Sequence, residues 1–170
     1  GFGYEEAIGF CPDPAHVRDK DGIATSVVAA SLVASLKAQG RSVWDELERL
    51  ARLHGLHVSS PLTFRVEDIE QISSGMARLR AQPPTVLAGS PVVEVSDLAQ
   101  GYRGLPPTDG VLVLTEAGDR VIARPSGTEP KLKCYLEVIL PVADGEPLPW
   151  EQARERLDAI KGAFAEIIGL

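Results

Sequence analysis

Arg124-Pro125-Ser126-Gly127-Thr128-Glu129-Pro130-Lys131 is the stretch on which the reading of this chain turns. Val121-Ile122-Ala123 leads into it as a strand, and the alternating run Leu132-Lys133-Cys134-Tyr135-Leu136-Glu137-Val138 leads out as another. A tight loop between two strands thus holds one guanidinium, two hydroxyls, a glycine and an ammonium. Gly127 is expected to give positive φ and close approach of the backbone to a ligand. Successive N–H groups in such a turn form a concave anion site, and Arg124 adds a fork that matches phosphate oxygens. The same residues also suit a plain β-turn in which Pro125 presets φ. Glu129 opposes a phosphate unless a cation or a sugar hydroxyl takes up its charge.

Working outward, Glu116-Ala117-Gly118-Asp119 reads as a hairpin turn between strands near 110–115 and 119–123. A further short strand falls near 92–95, a long one over 131–140 with Cys134 inward, and another over 57–66. Ile69, Ile72, Met76 and Leu79 recur at helical spacing, so 67–81 is read as a helix stopped by Pro83-Pro84. Residues 150–168 are amphipathic, with Ala153, Leu157, Ile160, Phe164 and Ile167 on one face. Residues 57–170 are therefore expected to be an α+β domain, a small antiparallel sheet with helices packed on one face.

Residues 1–56 differ. Glycines and prolines punctuate 1–22, which read as loop. Residues 23–39 read as a helix apolar on nearly every face, which expects cover on several sides. Ser42 is placed as the N-cap of a second helix, with Glu46 four residues on and Trp44, Leu47, Leu50 and Leu53 as its apolar stripe. No strand is read in 1–56. Trp44 and Trp150 are expected to face a core. The chain opens at Gly1 within a glycine- and glutamate-rich segment, which is expected of a piece of a longer protein.

The 170 residues are 44% hydrophobic and 24% charged, as in ordinary globular proteins. A net charge of −7 argues against a nucleic-acid partner, which needs a basic face. No apolar run approaches the roughly 18 residues of a membrane span, so no membrane partner is expected. Cys11 and Cys134 are far apart and give no disulfide framework, which fits a reducing, cytoplasmic setting. His54 and His57 are three apart, but Gly55 stands between them and a third ligand is lacking, so no metal ligands are expected in this chain.

Tyr4-Glu5-Glu6-Ala7-Ile8-Gly9-Phe10 places two carboxylates on a glycine-flanked loop, followed by Val17-Arg18-Asp19-Lys20-Asp21-Gly22. Adjacent carboxylates accept hydrogen bonds from vicinal sugar hydroxyls, and the Asp-Lys-Asp cluster could fix a polar ligand. A solvated loop and a helix cap account for the same residues.

Taken in order, these two segments and the Arg124 loop resemble the α-D-phosphohexomutase family, which includes phosphoglucomutases and phosphomannomutases. The resemblance covers almost the whole chain. It implies that 1–56 are the C-terminal remnant of a Rossmann-like α/β third domain and that 57–170 are the fourth, phosphate-binding domain. By the same resemblance, Glu5 and Glu6 would read the sugar hydroxyls and Lys20 would reach the sugar or its phosphoryl group. Arg124, Ser126, Gly127 and Thr128 would anchor the idle phosphate, with Lys131 as a neighbour. The family's phosphoserine and magnesium loops are not in this sequence, so Mg2+ and a sugar bisphosphate activator would belong to the parent enzyme, and this piece would be inactive alone. Ala7 stands where many hexose-specific members have serine, and Glu-Glu-Ala-Ile-Gly resembles the phosphopentomutase-like branch. The implied partners are a sugar phosphate and the missing N-terminal domains, with self-association through the exposed remnant helices as a further expectation. The rival reading is a stand-alone, non-catalytic phospho-ligand-binding module.

Overall fold

The computed structural model describes all residues except Glu6, Ala7 and Leu170. Two compact units divide the chain, Gly1–Leu50 and Ala51–Leu170.

The first unit opens on a small hairpin, β1 (Gly3–Glu5) against β2 (Gly9–Cys11), where the sequence reading had loop. Three-residue strands built from Gly, Tyr, Glu, Phe and Cys carry too little alternation or β-branching to read as strands. Helix α1 (Gly22–Ala38) begins at Asp21, whose carboxylate accepts from the N–H groups of Ile23 and Ala24 at 3.0 Å each. Of its apolar residues only Leu36 is buried. Ile23, Val27, Val28, Leu32 and Val33 are exposed among the described residues, so the cover read from composition is not present in them. Helix α2 (Val43–His54) starts with a reciprocal cap. Ser42 Oγ accepts from Asp45 N–H at 3.2 Å, and Asp45 Oδ2 accepts from Ser42 N–H at 2.6 Å. Glu46 instead accepts from Arg41 and Arg49, and Arg49, its foremost partner, helps hold its carboxyl down to about 2. Trp44 is 77% exposed and Trp150 44%, against the expectation that both face a core. Helical spacing says which side a residue shares, not what lies against that side.

The second unit holds a six-stranded antiparallel sheet. Its strands in chain order are β3 (Leu56–Arg65), β4 (Val86–Leu87), β5 (Ser90–Asp97), β6 (Val111–Thr115), β7 (Arg120–Pro125) and β8 (Lys131–Leu140). Across the sheet they run β3-β8-β7-β6-β5-β4. On β8 the even residues Leu132 to Leu140 are buried and the odd ones half-buried, the alternation of a strand with one face on a core. Helices α3 (Glu70–Ala81) and α4 (Trp150–Ile168) cover that buried face. Ile72, Met76 and Leu79 of α3 and Leu157, Ile160 and Phe164 of α4 meet Val113, Val121, Leu136 and Val138 of the sheet. Each such large side chain stabilises the fold by about 2 kcal/mol through apolar burial. The α+β reading with helices on one sheet face is the architecture found, and Cys134 is buried as expected.

Two polar devices fix the helices to this layer. Arg78 of α3 donates its guanidinium to the carbonyl of Ile168, which caps the C-terminal end of α4. Arg156 of α4 donates to Asp119 Oδ2 at 2.8 Å, and Asp119 also accepts from the Thr115 hydroxyl at 2.9 Å. Asp119 closes the turn between β6 and β7, so α4 is tied directly to the hairpin that aims the following loop.

Candidate functional site

Residues 126–130 join β7 to β8. Ser126 N–H donates to the Lys131 carbonyl at 2.8 Å and Lys131 N–H to the Glu129 carbonyl at 2.7 Å. Val66 N–H donates to the Pro130 carbonyl at 3.2 Å, tying the loop to the end of β3. Beyond the loop the register is Pro125 opposite Leu132, Arg124 opposite Lys133, and Ile122 opposite Tyr135. Since Ala123, Leu132 and Cys134 point into the core, period-2 alternation puts Arg124, Lys133 and Tyr135 on the sheet face away from the helices.

There they line a cavity of about 300 Å3 together with Pro125, Ser126, Gly127 and Thr128. Neither Arg124 nor Lys133 makes an ion pair or side-chain hydrogen bond among the described residues. Like charges set directly opposite in a ladder repel, and the Glu129 carboxylate acts on Lys133 only as a neighbour, without pairing with it. The N–H groups of Gly127 and Thr128 donate to no protein acceptor among the described residues. Four kinds of donor therefore line one small space: a guanidinium, an ammonium, hydroxyls and loop amides.

One expectation needs correction. Gly127 does not adopt positive φ, and a Cβ built there would meet nothing within 4 Å. A side chain at 127 would enter open space beside the cavity, not room needed by the fold. Lys131 does not line the cavity. Its ammonium pairs with Glu129 at 2.6 Å, which supplies the cation that the carboxylate was expected to need. Lys131 is the principal cause, with Arg65 and Lys133 as lesser ones, that holds the Glu129 carboxyl below the usual range. Lys133 and Tyr135 also line the cavity, and the sequence reading does not single them out. Their signal was available, because strand alternation from Lys131 puts 133 and 135 on the same face.

The other candidate group lies in the first unit. Lys20 Nζ stands 3.5 Å from Glu5 Oε1. Gly9 pairs with Glu5 across the hairpin, and a Cβ at Gly9 would come within 2.5 Å of Glu5 Cγ and Lys20 Cδ. Glycine is needed here for close approach. Glu6 lies outside the described residues. Asp21 is spent on the helix cap, and Asp19 accepts from Lys20 N–H at 2.7 Å. The structure thus brings Glu5 and Lys20 together, and separately Arg124, Ser126, Gly127 and Thr128. His54 ends α2 while His57 stands in β3, so they share no helix face. No group of three His, Cys, Asp or Glu able to hold a metal occurs among the described residues. No single helix among them is long and apolar enough to cross a membrane.

The second unit is thus a sheet backed by two helices, with a cationic loop at one corner. Residues 65–143 match the family described as phosphoglucomutase/phosphomannomutase, C-terminal domain. A probable phosphomannomutase of Haemophilus influenzae is 42% identical over 80% of this chain and 27% of its own length. A phosphopentomutase of Mus musculus is 28% identical over 97% of this chain and 28% of its own. Among solved structures, the open form of parafusin, a phosphoglucomutase from Paramecium, superposes with a TM-score of 0.63 at 18% identity. It covers 98% of this chain and 30% of that one, and shows the same fold. The chain spans between a quarter and a third of the length of the relatives it matches.

Proposed function

We propose that this chain is the phosphate-gripping C-terminal part of a phosphosugar mutase. The parent enzyme would move a phosphoryl group between the C1 and C6 hydroxyls of a hexose through a phosphoserine and a bisphosphorylated intermediate. The observation that carries the reading is the pair Arg124 and Lys133, held opposite each other around a small cavity with no ion pair of their own among the described residues. On this reading Arg124, Lys133, Ser126, Thr128 and the amides at Gly127 and Thr128 hold whichever phosphate is idle. Such a grip reads phosphate and little else, which suits an intermediate that must bind in two opposite orientations. Glu5, Glu6 and Lys20 would read the sugar hydroxyls, and Lys131 supports the loop through Glu129 instead of touching the ligand.

The phosphoserine, the Mg2+ site and the sugar bisphosphate activator belong, on this proposal, to the parent protein in a cytoplasmic setting. The described residues offer no metal-binding cluster, so every role assigned here is binding and orientation. Residues 1–56 are read as the remnant of a third domain and 57–170 as the fourth, and the 170 residues alone are expected to turn over no sugar phosphate. A second reading, a pentose phosphate as substrate, draws support from the similarity to the mouse phosphopentomutase along nearly the whole chain and from Ala7 in Glu-Glu-Ala-Ile-Gly.

Titration of the chain with inorganic phosphate, followed by glucose 1-phosphate and ribose 1-phosphate, tests the proposal through backbone amide shifts. Saturable shifts centred on 124–133 are expected with all three. Flat spectra at tens of millimolar, beyond the range of a weak isolated site, would defeat it.

A further inference from the structure

Four cations meet at one corner of the sheet. Arg65 of β3 is the register partner of Lys131, and Arg124 of β7 that of Lys133. All four project from the face away from α3 and α4, by the alternation that buries Leu132 and Ala123, and half-buries Phe64, on the other side. Into this cluster the loop sets its own carboxylate. Glu129 Oε1 lies 2.6 Å from Lys131 Nζ, and the backbone repeats the link, since Lys131 N–H donates to the Glu129 carbonyl at 2.7 Å. The two ends of the pair differ in setting. Lys131 has only 12% of its side chain exposed, whereas Glu129 has 48%. The cation is fixed by its surroundings, and the carboxylate stands at the rim where an incoming anion would pass.

We infer that Glu129 is a built-in counter-ion that sets how tightly the loop holds phosphate. It withdraws Lys131 from the grip, leaving Arg124 and Lys133 as the cations that line the cavity, and its negative charge opposes the anion. The inference rests on the reading of this loop as a phosphate grip. It adds that the grip is weakened on purpose. An idle phosphate that must leave and return at the other end of the intermediate is poorly served by four unopposed cations. A loop carrying its own anion is partly neutralised when vacant, so exchanging that anion for phosphate costs less reorganisation than assembling or dispersing bare charge. Because the pair is surface-exposed on the acidic side, it is weak enough to yield.

Phosphate titrations of the 170-residue chain and its variants decide the matter. At low salt Glu129→Gln is expected to bind inorganic phosphate about two- to fivefold more tightly, the scale of one exposed charge interaction. The gain should shrink toward nothing at roughly 0.5 M salt, where exposed charges are screened. Lys131→Met, which leaves the carboxylate unanswered beside Lys133, should bind more weakly by a similar factor, and adding Glu129→Gln to it should restore affinity. If Glu129→Gln and Lys131→Met both weaken binding, the pair is a structural brace and the inference is wrong. Equal affinity in wild type and Glu129→Gln, or no binding by either, also overturns it. Arg124→Ala separates this from the underlying reading. Binding that survives Arg124→Ala defeats the phosphate grip itself, whereas binding lost in Arg124→Ala but unmoved in Glu129→Gln defeats only the counter-ion.

Discussion

Arg124 on β7 and Lys133 on β8 are register partners in an antiparallel ladder, and neither makes an ion pair or side-chain hydrogen bond among the described residues. Two cations so placed work against the fold, by about half a kcal/mol for like charges directly opposite. A fold that keeps such a pair keeps it for something else. Lys133→Thr is therefore expected to raise the melting temperature by about 1–2 °C in phosphate-free buffer. The same variant should bind phosphate about tenfold more weakly, as for loss of one charge-assisted contact. Added phosphate should stabilise the wild type more than the variant. Thermal melts with and without phosphate measure all three effects. A variant less stable than wild type without phosphate would mean that Lys133 serves packing.

Gly127 offers a cleaner separation of fold from ligand. Its φ is not left-handed and a Cβ there meets nothing within 4 Å. Gly127→Ala should leave stability unchanged or raise it by about 0.5 kcal/mol through a less flexible unfolded chain. Phosphate affinity should drop at least about fivefold, because the methyl group would intrude between the ligand and the loop amides. Denaturant titration and amide-shift titration on one sample give both numbers. Unchanged affinity would reduce the glycine to turn chemistry.

Much of this was open to reading from the chain, and the rest was closed for identifiable reasons. The strand over 131–140 and the helix over 150–168 were legible because each has one apolar face of uniform period, and β6 because it is an unbroken apolar run. Gly118 at φ 87 marked the turn that aims the loop. The hairpin of β1 and β2 was not legible, since three residues are too few to show a period. Lys131 and Lys133 differ in role because the ammonium of one is claimed by Glu129, a contact that spacing alone does not reveal. Trp44 sits on a well-formed amphipathic stripe yet faces outward, because amphipathicity records a helix side and not its cover.

Arg156 and Asp119 make the interior prediction. Asp119 is fully buried, with Oδ2 held by Arg156 and Thr115 while Oδ1 has no hydrogen-bond partner among the described residues. Removing the guanidinium leaves a buried carboxylate without its cation. Arg156→Ala should cost about 3 kcal/mol, and it should loosen the β6–β7 turn that leads into Arg124. Arg156→Lys should recover only part, since an ammonium lacks the planar fork. Urea unfolding gives the energies. A loss below about 1 kcal/mol would assign the pair to the class of surface ion pairs.

Cys134 gives a pH dependence of known sign. The residue is buried on β8, and burial pushes its thiol from the ordinary 9.0 up to about 12. Below pH 9 the thiol is protonated in both folded and unfolded chains and contributes no slope. Between about 9 and 12 the unfolded chain gives up the proton while the folded chain keeps it. The unfolded state then binds fewer protons, so stability falls as pH rises through that window. The urea midpoint should decline between pH 9 and 11 in wild type and decline less in Cys134→Ala. At pH 8 a thiol reagent should modify the native chain only at Cys11, which is partly exposed, and reach Cys134 only after denaturant is added. Equal slopes in wild type and variant, or rapid native labelling of Cys134, would show that the strand opens far more readily than its burial implies.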